Sequence, residues 1–404
     1  MTERRAITTL DDPANGYHDS STDDIVDGLN RQLDTKRIAL TFEEGSGYLK
    51  SVLNALQISP TTQIVVYSKT SVQAPLINPQ NPRALFFSDE AVVGYIRGAP
   101  FLEFAVQDPR RGILFYTLSQ QPKAAPRFLR GNDCVGCHVS LASMDVPGML
   151  IRSIPTGPDG RTYPQFGNFV TDARSPFQER WGGWYVTGTV AGVLHMGNMF
   201  LKNPDDESVV SVAGGPALDR LTDRFDVRDY PANQSDVIAL LVFDHQMHMM
   251  SLLARVGWDA RAVLRNYGPG SEVAKTLLRS DARELVDYLL FVDEPILPGR
   301  IQSTSNFAAE FVARGPVDKK GRSIRQFDLA RRLMRYPCSY MIYSSAFDAL
   351  PTEAKEAIYR RMWDILSGSD RDLRYANLSI DDRRAVIEIL IDTKKGLPTY
   401  FKRI

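Results

Sequence analysis

The chain has 404 residues, 43% of them hydrophobic and 24% charged, with 48 Lys and Arg balanced by 48 Asp and Glu. Zero formal charge excludes a nucleic-acid partner recruited by bulk electrostatics, and the apolar fraction can fill a sizeable core, in two or three domains or one large domain with insertions. No run comes near the roughly 20 apolar residues of a membrane span; 237–243 is among the longest, so the chain is expected not to be integral to a membrane.

Residues 1–20 are expected to be disordered. Two helical patterns follow, carried by Ile25, Leu29 and Leu33 and by Leu49, Leu53 and Leu56, with apolar residues returning every three or four positions. From Gln63 the texture changes to short β-rich runs at 64–67, 85–87, 92–96, 102–106 and 113–118. The last two flank Asp108-Pro109-Arg110-Arg111-Gly112, which has the residues of a hairpin turn.

Directly after these runs stands Cys134-Val135-Gly136-Cys137-His138, in a chain with only three cysteines and five histidines. Two thiols three positions apart can add to the two vinyl groups on one edge of a porphyrin, and the next residue then sets its imidazole under the iron. The run resembles the attachment site of c-type cytochromes. That resemblance covers five residues and implies one covalent haem c, with Cys134 and Cys137 as thioether anchors and His138 as proximal axial ligand of the iron. Arg127 and Arg130, just upstream, are candidate partners for the haem propionates. Two rival chemistries use the same residues. A thioredoxin-like pair needs its C-x-x-C to open a helix after a strand, whereas Arg130-Gly131-Asn132-Asp133 reads as loop. A zinc site would have to borrow His245 and His248, more than a hundred residues away and in an H-x-x-H spacing shorter than the usual finger.

Beyond the motif, 149–154 and 161–166 about Gly157-Pro158-Asp159-Gly160 read as a second hairpin, and 184–190 as a further strand. Ser235 is placed to cap a helix over 236–256. Pro351 and Thr352 open another helix that ends near Gly368, and Ser379 with Asp382 forms a capping box for 382–393. The lone Cys338 reads as a buried structural thiol. The fold class is α+β: a mixed first half with short strands and hairpins carrying the motif, then a mainly helical second half. The expected division is a disordered start (1–20), a haem-binding α/β domain (21–230) and an α-helical domain (231–404).

What fills the second axial position of a haem decides between electron carrier and catalyst. His245 and His248 lie three apart on an apolar helix, with Asp244 four residues before His248. They are candidates for the distal ligand, or for an acid–base group oriented by Asp244; the alternative is two hydrogen-bonded core histidines. His195, Met196 and Met199 are further candidates, and the interval by which small c-type cytochromes supply their methionine favours Met196 or Met199. Trp181 and Trp184, spaced by glycines, would pack on a porphyrin or in the core. Haem c is attached after export, so a leader is expected to precede this sequence and to have been removed; residues 1–25 hold no apolar stretch of that kind. The expectation is a periplasmic or otherwise exported single-haem cytochrome for electron transfer, serving a redox partner protein or a small-molecule electron donor or acceptor. The alternatives are a haem peroxidase or oxygenase in which His245 or His248 works at an open distal site, and a haem-based redox or gas sensor.

Overall fold

The computed structural model describes residues 8–19, 22–123, 125–201, 215–297 and 299–404. Two short helices, α1 (Ile25–Asp34) and α2 (Leu49–Ala55), precede strands β1 (Ile64–Val66), β2 (Arg83–Phe87), β3 (Ala91–Tyr95), β4 (Phe101–Asp108), β5 (Gly112–Ser119) and β6 (Leu129–Arg130). The motif forms α3 (Val135–His138), followed by β7 (Ile151–Ser153), β8 (Phe169–Thr171), β9 (Trp184–Tyr185) and β10 (Thr189–Val190). The second half contributes α4 (Val237–Tyr267), α5 (Glu272–Leu289), β11 (Ile301–Gln302), α6 (Phe307–Ala313), α7 (Ser345–Asp348), α8 (Thr352–Leu366) and α9 (Ile380–Thr393). Strands thus dominate the first half and helices the second, an α+β architecture.

Seven strands make one antiparallel sheet in the order β6-β5-β4-β3-β2-β1-β9. Alternation along each strand sorts its side chains onto two faces, both covered. One face carries Phe87, Val92, Ala105 and Phe115, which share a core with α4 and the later helices. The other carries Phe86, Val93, Phe104 and Tyr116, and packs on Tyr17, α1 and α2. A single core therefore runs across the 230/231 boundary, from the sheet into the helical half.

The β4–β5 hairpin closes at the expected turn, where Asp108 accepts the backbone N–H groups of Arg110 (2.9 Å) and Arg111 (2.8 Å). Three local readings are corrected. The partner of β7 is β8, at 169–171; the segment 161–166 contributes only an isolated bridge from Thr162 to Thr156 and a 3₁₀ turn at Pro164–Phe166. The cap of α4 is Asp236, which accepts the N–H of Ile238 at 2.8 Å, while Ser235 bonds instead to Tyr185 and Val65 of the sheet. α4 also continues through Gly257 to Tyr267, because its last turns still bury Trp258 and Val263. Of the start expected to be disordered, residues 1–7 and 20 lie outside the described residues. Residues 8–19 are placed, and Tyr17 is buried with its hydroxyl donating to the carbonyl of Ile113 at 3.1 Å. α4 is long and apolar enough to cross a membrane, yet 94% of its apolar window lies inside the fold, as suits a core helix.

Candidate functional site

The motif sits at the β5–β6 edge of the sheet, on the face shared with α4. Its helix is one turn: the N–H of His138 bonds to the carbonyl of Cys134 at 3.0 Å and that of Val139 to Val135 at 3.0 Å. That turn brings Cys134 and Cys137 onto adjacent positions of one helical face, both as free thiols, Cys137 exposed and Cys134 half-buried. Burial raises the Cys134 thiol, and the carboxylates of Glu103 and Asp133 push it the same way. Gly136, between the cysteines, has open space on its Cβ side.

After α3 the chain makes a tight return. Ser140 and Ser143 cap a 3₁₀ turn, and Met144 and Asp145 take left-handed backbone angles. This delivers Gly148 against His138 from two directions. The Gly148 N–H donates to the His138 carbonyl at 3.0 Å, and the Gly148 carbonyl lies 2.9 Å from His138 Nδ1. A carbonyl can only accept, so Nδ1 carries the proton and the neutral ring presents its lone pair at Nε2. Among the described residues Nε2 has no hydrogen-bond partner. The ring lies over Phe115, with centroids 4.7 Å apart. Burial holds His138 below the usual imidazole range; the bond to Gly148 opposes this and the field of Arg83 adds to it. Gly148 is itself wedged against α4: a Cβ there would lie 2.4 Å from Ser251 Oγ and 3.1 Å from Ser143 Cβ. The orientation of the imidazole is thus set by a carbonyl that the core helix holds in place.

The other expected site residues lie elsewhere. Arg130 pairs with Tyr116 in the β5–β6 ladder and so points to the opposite face from His138, where its guanidinium serves the carbonyls of Tyr17 and Asp19 (2.8 Å to the latter) and lies over the Tyr17 ring. Leu129, paired with Thr117, is the β6 residue on the motif's face, and it is 61% exposed. Arg127 is engaged by Asp34. His245 is fully buried, stacked between Tyr288 (4.9 Å) and Phe291 (4.4 Å), with Nε2 2.7 Å from Ser339 Oγ. Phe243, Ser251 and Ala254 turn the sheet-facing side of α4 toward Phe87, Gly148 and Gly112, so His245 points away from the motif.

His248 meets Arg174 Nη2 at 3.0 Å and Asp172 at 3.7 Å. Asp244 accepts from Arg180 Nη1 and Trp181 Nε1, both at 3.1 Å, and from Thr171 at 3.3 Å; burial lifts it to about 6 against the pull of Arg180. His195 lies edge-on to Trp181 at 5.1 Å, and Met196 Sδ accepts from Ser153 Oγ at 3.6 Å. Met199 offers its backbone carbonyl to Tyr67 at 2.7 Å. Trp181 and Trp184 are buried, the latter donating to the Arg152 carbonyl at 2.8 Å. Cys338 is fully buried, which pushes its thiol up to about 12. Among the described residues no three His, Cys, Asp or Glu side chains converge as a metal-ligand cluster, so the zinc reading lacks its ligand set.

The residues that sequence reasoning missed are Gly148, Ser143, Ser251 and Phe115 around the imidazole, and Arg83 with Glu103 beyond it. Comparison with protein-family models, with curated proteins and with solved structures finds no match for this chain.

Proposed function

We propose that the chain is an exported single-haem c-type cytochrome that transfers electrons, with the haem bound through Cys134 and Cys137 and its iron held by His138. The observation that carries this reading is the fixed imidazole: Nδ1–H tied to the Gly148 carbonyl and Nε2 left as acceptor, beside two free thiols one helical turn apart. A proximal histidine needs this tautomer, and a backbone carbonyl on Nδ1 also raises the ring's donor strength. Cys134 and Cys137 would hold the group as thioethers, each S–H adding across one vinyl C=C with no change of net charge. When bound, the haem supplies a one-electron couple. The chain's own contribution is to fix the ring through Gly148, to shield it on Phe115, and to leave Cys137 and the Gly136 side open at the surface.

A second reading, a haem enzyme with an exchangeable distal position, draws on a separate observation: the side chains of His245, His248, His195 and Met196 all have other partners in this fold. Expression behind an export signal in a host with cytochrome c maturation enzymes tests both. The cytochrome reading expects a low-spin reduced spectrum that carbon monoxide leaves unchanged. High-spin haem that binds carbon monoxide selects the enzyme, and colourless protein contradicts both.

A further inference from the structure

One ion pair stands on the motif's face of the sheet where apolar residues would be expected. Across β6, β5, β4 and β3, the cross-strand partners Leu129, Thr117, Glu103 and Gly94 form one row, next to the row that carries Phe115. Arg83, on the same face of β2, brings Nη2 to 2.5 Å from Glu103 Oε2, and both side chains are only about 15% exposed (16% and 15%). The pair lies across bare backbone: a Cβ on Gly94 would sit 3.1 Å from Arg83 Nε and Nη2 and from Glu103 Oε2. Glu103 is anchored from the far side, its Oε1 accepting from Ser71 Oγ at 2.8 Å and Gln73 Nε2 at 3.2 Å. Arg83 Nε is buried and has no hydrogen-bond partner, which is costly for a guanidinium N–H. The pair lies beside the motif: Glu103 faces Thr117 on β5, two residues along that strand and on the same face as Phe115, the ring over which His138 lies.

We propose that Arg83 is the cation that receives a carboxylate of the haem held by Cys134, Cys137 and His138, with Glu103 as the positioning residue that holds the guanidinium flat over Gly94. The inference rests on the proposed function and deepens it. It replaces Arg130, which strand parity puts on the opposite face, and Arg127, which pairs with Asp34 at the surface. Arg83 supplies a planar donor fork matched to a carboxylate.

The test separates this inference from the reading beneath it. The full-length chain with Cys134→Ser and Cys137→Ser is titrated with haemin and with haemin dimethyl ester, which lacks the free carboxylates. Haemin should bind about tenfold more tightly than the ester. Arg83→Gln should reduce that preference to below twofold, and Arg83→Lys and Glu103→Gln should each retain at least part of it. In the covalently loaded protein, Arg83→Gln should leave haem content intact and shift the one-electron equilibrium toward the oxidised form about tenfold, or 59 mV. Equal binding of haemin and ester by the parent, or an undiminished preference in Arg83→Gln, overturns the role of Arg83 while leaving the cytochrome reading standing. If Arg83→Gln does not fold, Arg83→Lys decides: loss of the preference in a folded protein that keeps the charge overturns the proposal. Exported parent protein without covalent haem removes the proposed function and this inference together.

Discussion

Replacing Gly148 by Ala tests whether the core helix sets the geometry of His138. The added methyl carbon would lie 2.4 Å from Ser251 Oγ and 3.1 Å from Ser143 Cβ. A carbon and an oxygen need about 3.3 Å or more, so either Ser251 Oγ must turn away from its bond to the Met247 carbonyl or the return loop or α4 must retreat by nearly 1 Å, and Ser143 Cβ still crowds the methyl. Overpacking of this kind costs about 1–3 kcal/mol, and the stiffer unfolded chain returns about 0.4–1 kcal/mol. The expected net loss is therefore about 1–2 kcal/mol, read from the urea midpoint with the slope unchanged. Ser251→Ala removes the nearest clashing atom and leaves its Cβ at an ordinary 3.5 Å, so the double variant should recover at least half of the loss. A Gly148→Ala protein as stable as the parent, or one that Ser251→Ala fails to rescue, would refute the wedge.

Asp244→Asn leaves the buried Arg180 guanidinium without its counter-charge and should cost about 3–5 kcal/mol in equilibrium unfolding; a loss below about 1 kcal/mol contradicts it. Burial holds His245 at about 3, below its ordinary 6.5, so the stability it contributes is complete above about pH 6.5 and is lost as pH falls toward 3. Against the parent, His245→Gln should therefore flatten the acid limb of stability by up to about 1.4 kcal/mol per pH unit in that window, and parallel curves would show that the ring titrates freely. Because His245 turns away from the motif, His245→Ala in the haem-loaded protein should leave the optical spectrum unchanged, and a low-spin to high-spin conversion would make it the distal ligand after all.

The sheet and the helices were legible because their signals are local. Short apolar runs, the Asp108–Gly112 turn and the Ser379 cap each declare themselves within a few positions. The C-x-x-C-H run is local in the same sense. What surrounds it is not: Gly148 is ten residues on, and its contact with Ser251 depends on how α4 crosses the sheet. Arg130 is near the motif in sequence, but strand parity puts it on the opposite face, and the ion pair on the motif's face comes from β2 and β4. His245 and His248 stood out as polar residues on an apolar helix, and the structure answers that anomaly with Ser339, Tyr288, Asp172 and Arg174, partners that no spacing rule could name.

The intact mass of the denatured, exported protein tests the central claim most directly. Produced with maturation enzymes and stripped by acid and organic solvent, the chain should keep the added mass of one haem. The Cys134→Ala, Cys137→Ala protein should show the bare polypeptide mass. A parent chain that emerges at its bare polypeptide mass would contradict the account.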